Sequence, residues 1–239
     1  MKTNLLFLAV IFACILNACK DDGIEIIKEV PDEIIPTEPN PILYSRIIEL
    51  FPDGIDVSVK YPFLFSDTVQ KRIILTSESE VYVTFIAEGA NFKNTLGWYS
   101  YTLGAEPKSI HDIKLHTLFP NISGKGEGGE LYQGDMLQIG DRKFPAGTVI
   151  GFFLIVNGWH NGSIDYTGTT HLTDYAVISG GKQQHILFQE KNCGAIVMGY
   201  EDKISTQSDR DYNDILFTIS DNRDGYVPSS FDLAKIPRL

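Results

Sequence analysis

The feature that most constrains the fold of this chain is its rhythm of short apolar runs cut by Gly, Asn, Asp and Pro. Glu80 to Ala87 alternates, with Val81, Val83, Phe85 and Ala87 on one side and Tyr82, Thr84 and Ile86 on the other. Side chains alternate across a strand, so this run suits a half-buried strand. Gly97 to Leu103 is short and aromatic, and Val149 to Val156 is continuously apolar. Tyr175 to Ser179, Gln184 to Gln189, Ala195 to Tyr200 and Asp214 to Ser220 are further strand candidates. No segment sustains a helical period. Many short strands, without the strand–helix alternation of a parallel sheet, predict an all-β fold: an antiparallel β-sandwich of jelly-roll type. Val83, Phe85, Phe153, Ile155, Phe217 and either Ile215 or Leu216 are expected in one inter-sheet core.

The start of the chain reads as an address. Lys2 precedes an unbroken apolar run from Leu5 to Leu16. A membrane span needs roughly 20 such residues, and this run has the shorter length of a signal-peptide core. It ends in Leu16-Asn17-Ala18-Cys19, which resembles the bacterial lipobox, whose Cys is acylated after cleavage. The other reading is an ordinary secretory leader with a chance Cys. Residues 1–18 are expected to be a lipoprotein signal peptide, with Cys19 carrying the lipid. Lys20-Asp21-Asp22 resembles a surface-export signal of lipoproteins in one phylum of Gram-negative gut and oral bacteria. The expected location is the outer membrane, lipid-anchored and exposed on the cell surface.

Residues 19–44 read as an acidic tether in which Pro31, Pro36, Pro39 and Pro41 favour extended chain. Ile24, Ile26, Ile27, Ile34 and Ile35 give it apolar points for docking. Residues 45–239 read as one domain, irregular from Asp221 onward. With Cys14 in the leader and Cys19 acylated, Cys193 has no partner for an intramolecular disulfide. The net charge is −11, or −12 once the one positive charge of Lys2 leaves with the leader. Phosphate binding needs clustered Lys and Arg, so a nucleic-acid partner is excluded.

The chemistry concentrates late in the chain. Glu201 to Asp224 holds seven acids: Glu201, Asp202, Asp209, Asp211, Asp214, Asp221 and Asp224. Lys203, Arg210 and Arg223 oppose them. Asp209, Asp211 and Asn213 match the start of an EF-hand loop. The match then fails, because Asp214 stands where Gly is needed and Ser220 where a bidentate Glu is needed. Alternate residues entering a strand share a side, so Asp209, Asp211 and Asn213 are expected to converge. Asp202 and Asp214 would close the shell, with Glu201 or Glu88 assisting. Such oxygen-rich ligands suit Ca²⁺. The competing reading is a solvated acidic turn neutralised by Arg210. Glu88 and Asn94 join the metal only if their loop lies at the same end of the sandwich; otherwise that loop is a plain turn.

Several stretches in order resemble the bacterial domain of unknown function 4114. They are Phe51-Pro52-Asp53-Gly54, Val83 to Ala90, Asn94 to Tyr101, Phe119-Pro120-Asn121, Gly147 to Trp159, His185, Gly199-Tyr200-Glu201-Asp202, and Asp209 to Asp214. The resemblance implies a secreted or surface β-sandwich and no known activity. His171-Leu172-Thr173-Asp174 departs from it where a Leu-Asn pair is expected.

Asn157 to Tyr166 is a Gly-rich loop holding Trp159 and Tyr166, an arrangement that can stack on a sugar. The commoner alternative is Trp packed beneath its own loop. Gly124 to Gly129 lacks the Gly-Lys-Ser/Thr of a phosphate loop. The His residues lack zinc spacing, and no Ser stands in a nucleophile elbow. The reading that follows is a non-catalytic, calcium-stabilised surface lipoprotein module for adhesion or for binding a glycan or protein ligand. The alternatives are a carboxylate-using glycan hydrolase, with Glu88 and Glu201 as conceivable partners, and a structural envelope component.

Overall fold

The computed structural model describes residues 26–27 as backbone and residues 33–177, 181–204, 208–223 and 227–239 in full. The leader, Cys19, Lys20-Asp21-Asp22, Pro31, Ser179 and Asp224 lie outside the described residues. In chain order the strands are β1 (Ile26–Ile27), β2 (Ile35–Pro36), β3 (Ile73–Ile74), β4 (Tyr82–Ala87), β5 (Thr95–Thr102), β6 (Leu115–Phe119) and β7 (Asp135–Gln138). They continue as β8 (Thr148–Ile155), β9 (Trp159–His160), β10 (Ser163–Ile164), β11 (Thr170–Leu172), β12 (His185–Gln189), β13 (Ile196–Tyr200) and β14 (Ile215–Ser220). Two short helices, α1 (Pro41–Leu50) and α2 (Val57–Lys60), precede β3.

One six-stranded sheet runs β1-β6-β5-β8-β11, with β3 also paired to β8. The other runs β12-β13-β14-β4-β7-β2. Every neighbouring pair is antiparallel except β1 with β6. The expected all-β antiparallel sandwich is present. The pairing does not by itself establish jelly-roll wiring, and β12-β13-β14 is a meander within one sheet. Tyr175 to Val177, expected in a strand, forms a 3-10 turn.

The strands alternate as the pleat requires. Val83, Phe85, Ile215 and Phe217 point into the space between the sheets, meeting Leu96, Ile150, Phe152 and Leu154 from the opposite sheet. Phe153 and Ile155 do not join them. They face the outer side of their sheet, with Tyr99, Leu115 and Leu172. All eight residues of β8 are buried, so the apolar run carries no sign of which parity faces inward. Leu216 likewise faces outward, under α1.

Two glycines set how β5 and β8 meet. Gly97 lies opposite Phe153, and Gly151 opposite Tyr99. A Cβ on Gly97 would stand 2.1 Å from the Phe153 ring, and one on Gly151 2.3 Å from the Tyr99 ring. Each ring therefore lies over the bare backbone of the partner strand.

Helix α1 begins inside the segment read as tether. Asn40 caps it, its Oδ1 accepting from Leu43 N–H at 3.0 Å, and Pro41 takes the first turn. Leu43, Tyr44 and Ile47 share a buried face against Ile86, Ile186, Phe188 and Val197, the outer side of the β12-to-β2 sheet. Burying each such side chain contributes about 1.5–3 kcal/mol. Ile26, Ile27 and Ile35 dock by pairing with β6 and β7. The described residues after Asp221 stay irregular but pack: Phe231 and Ile236 enter the central core, and Leu239 N–H donates to Gln189 O at 3.0 Å.

Candidate metal centre

Strand pairing brings the acids to one end of the sandwich. Ala87 at the end of β4 lies opposite Leu216 near the start of β14, and Tyr200 at the end of β13 opposite Ile215. In the other sheet, Thr95 pairs with Ile155, which pairs with Thr170. The loops after Ala87, Ile155 and Tyr200 therefore share that end. This satisfies the condition under which Glu88 could join a metal; Asn94 shares that end, but its Oδ1 accepts from Asn157 N–H at 2.8 Å and so does not face the acids.

The structure divides the acids into two groups. Glu201, Asp202 and Asp214 offer carboxylate oxygens all within 4.8 Å of one another, and so do Asp53, Asp209 and Asp211. The expected single convergence of Asp209, Asp211 and Asn213 with Asp202 and Asp214 is not what forms. Residues 209–214 do not enter β14 as extended strand. Arg210 and Tyr212 adopt φ of 61° and 57°, so the alternation on which convergence relied is lost. Tyr212 is buried beside Leu216, and Asp211 turns toward residues 53–54.

The Glu201 group is the buried one. Glu201 and Asp202 are each 2% exposed and Asp214 9%. Asp202 N–H donates to Asp214 Oδ2 at 2.7 Å, and His171 Nε2 meets Asp202 O at 2.9 Å. His171 thus reaches the acid loop from the stretch that departs from the Leu-Asn pattern. Asn94, fully buried, donates through Nδ2 to Asp202 Oδ2 at 3.0 Å. Glu201 Oε2, Asp202 Oδ1 and Glu88 Oε1 are buried without a hydrogen-bond partner. A buried carboxylate oxygen with no donor is costly unless a cation or a proton meets it. Burial pushes the Glu201 carboxyl up to about 7, with Asp209 and Asp211 adding repulsion. Burial and the neighbouring Asp202 push Asp214 to about 9. Burial also raises Glu88 to about 7, against the opposing bond from Gly124 N–H.

The second group is built differently. Asp53 and Asp209 are exposed. Both Asp211 oxygens are engaged, Oδ2 by Gly54 N–H at 2.9 Å and Oδ1 by Asn213 N–H at 3.2 Å. Asn213 Nδ2 donates to Phe51 O at 3.1 Å. Asp211 and Asn213 therefore tie the acid loop to residues 51–54. Arg210, the expected internal neutraliser of an acidic turn, pairs instead with Asp56 at 3.7 Å. Gly89 N–H donates to Asn213 O at 3.2 Å, and a Cβ on Gly89 would stand 2.7 Å from Asn213 Oδ1.

Trp159 and Tyr166 are both half-buried. Trp159 lies on the β9–β10 hairpin, whose Asn161-Gly162 turn has φ of 50° and 85°, as a type I′ turn requires. Tyr166 packs on the outer apolar cluster, its hydroxyl 3.3 Å from Thr117 Oγ1. Sequence reasoning missed an open groove of about 940 Å³ along Trp98, His116, Gly140 and Phe144. Its lining comes from three separated segments, and no local motif marks it.

These features define an antiparallel sandwich with a buried carboxylate group at one end. Residues 144–222 match the family model described as Domain of unknown function (DUF4114), a stretch that contains β8 to β14 and Glu201, Asp202 and Asp214. The resembling stretches before residue 144 lie outside the match. No curated protein and no solved structure matches the chain.

Proposed function

We propose that the chain is a non-catalytic, calcium-stabilised module for adhesion or ligand binding, held at the outer-membrane surface by acylated Cys19. The observation that supports the calcium is the set of donorless oxygens on Glu201, Asp202 and Glu88. Three ionised carboxylates packed this closely repel one another, and a cation between them relieves that repulsion without protonating them. Ca²⁺ suits them better than Mg²⁺ because it accepts many oxygens in irregular geometry. An affinity of about 10⁻⁴–10⁻³ M, usual for extracellular modules, would suffice where calcium is abundant. The half-exposed Trp159 and Tyr166 are the proposed contacts for a glycan or protein ligand.

The test is the thermal midpoint of the domain in calcium and in chelator. Binding to the folded state alone raises the midpoint by mass action. Asp202→Asn is expected to remove most of that rise, and equal wild-type midpoints in both conditions would refute the reading. The raised carboxyls of Glu88 and Glu201 favour a glycan hydrolase as the second reading. Neither acid lines the 940 Å³ groove or the smaller cleft by Phe65, Tyr175 and Arg210. Turnover of a glycan panel that Glu88→Gln abolishes would favour the hydrolase.

A further inference from the structure

Asp202 touches more than the other acids. Its carboxylate is joined to the base of the Trp159 hairpin by an unbroken chain of contacts. Asn94 Nδ2 donates to Asp202 Oδ2, and Asn94 Oδ1 accepts from Asn157 N–H at 2.8 Å. The neighbouring carbonyl, Lys93 O, accepts from Trp159 N–H at 2.9 Å. Asn157 has φ of 50°, so the corner that starts the hairpin is a left-handed turn of the kind Asn tolerates better than most non-glycine residues. Gly158 follows against the start of β5, where a Cβ would stand 2.6 Å from Thr95 Oγ1. Residues 157–159 are thus clamped onto residues 93–95, and the side chain that completes the clamp is fixed at its other end by Asp202.

We propose that the cation at the Glu201 group controls the Trp159 hairpin: with it bound, the hairpin is fixed and its aromatic ring presented; without it, the hairpin loosens. This rests on the calcium reading above and adds a regulation to it. The physical reason lies in the two oxygens of one carboxylate. Asp202 Oδ1 has no hydrogen-bond partner, and Oδ2 holds Asn94. A cation on Oδ1 fixes the carboxylate plane, and with it the oxygen that orients Asn94. When the cation leaves, the closely packed carboxylates of Glu201, Asp202 and Asp214 repel one another and move apart. That movement shifts the acceptor that Asn94 holds, and the corner at Asn157 loses its brace. Ligand binding by the hairpin would then depend on calcium although no hairpin residue touches the ion.

The experiment follows amide hydrogen exchange at Asn157 and Trp159 in the full domain, with calcium and with chelator, beside the thermal midpoint. Coupling between sites typically amounts to about 5–150-fold, so exchange at these two amides should accelerate within that range on chelation. Amides of β12 and β13 report the global change in stability, and exchange at Asn157 and Trp159 should accelerate beyond what that global change accounts for. Acrylamide quenching of Trp159, read in Trp98→Phe so that one tryptophan remains, should rise in parallel. Asn94→Ala should keep a calcium-dependent midpoint while losing the calcium dependence of exchange at Asn157. If that variant fails to fold, the wild-type exchange measurement still decides. A midpoint that rises with calcium while exchange at Asn157 and Trp159 changes no more than that global change would overturn the coupling and leave the metal reading standing. If neither midpoint nor exchange responds to calcium, both readings fail together.

Discussion

Replacing Glu201 with Gln removes one negative charge from the buried group while keeping its shape. Burial, with repulsion from Asp209 and Asp211, raises the Glu201 carboxyl from 4.5 to about 7. The folded state therefore binds more protons than the unfolded state between those two values, and stability falls as pH rises through that window. At about 1.4 kcal/mol per unit, the cation-free protein loses up to about 3 kcal/mol by the time Glu201 is ionised. Glu88 acts in the same sense. His185 acts oppositely below its unfolded value of 6.5, so the comparison must be variant against wild type at each pH. In chelator at pH 8, Glu201→Gln should melt above wild type by up to about 6–12 °C, since about 1 kcal/mol shifts a domain of this size by 2–4 °C. Near pH 4.5 the two should coincide. Added calcium should reverse the order, because the ion binds ionised carboxylates and stabilises wild type more than the variant. Scanning calorimetry at several pH values reads all of this. A variant that keeps the full calcium shift, or a difference that does not change with pH, would refute the assignment of Glu201.

Gly89→Ala pushes a methyl against Asn213 Oδ1, and should cost about 1–3 kcal/mol by chemical denaturation and weaken calcium binding. His185 is fully buried, neither ring nitrogen has a hydrogen bond of ordinary geometry, and burial lowers it to about 3. Its neutral form supports the fold above pH 6.5, and that support is lost as pH falls. His185→Phe should therefore spare roughly 2 kcal/mol of the wild-type loss between pH 6.5 and 5, seen as a flatter acid limb in midpoint against pH. Cys19→Ala should move the protein from the detergent phase to the aqueous phase on phase partitioning of cells, and equal partitioning would remove the lipid anchor.

The all-β class was legible because Glu80 to Ala87 alternates and turn residues punctuate the rest. The inward parity of β8 was not, since both of its faces are buried and Phe152 and Phe153 are chemically alike. Helix α1 was hidden by prolines that read as tether, although Asn40-Pro41 is a helix-start signal. The acids were found by composition, and Glu88 and Asn94 by their position after a core strand. Their division into two groups was not readable. It depends on left-handed backbone at Arg210 and Tyr212, residues that favour no such conformation in isolation. Asp53 was visible only within a motif remote in sequence from Asp211, and nothing local pairs them.

The position of β4 has a consequence for how the chain folds. Its two neighbours are β7 and β14, and Val83 meets Ile219 across more than half of the chain's length. Closing so long a loop costs entropy before any contact compensates it, and such topologies fold slowly. Until β14 arrives, β4 exposes one edge of unpaired backbone carrying Val83, Phe85 and Ile86. An unpaired apolar edge of this kind invites pairing with another chain. The segment that delivers β14 to that edge is the acid loop itself. A cation that gathers Glu201, Asp202 and Asp214 would draw the last strand toward its place and shorten the time during which β4 can aggregate.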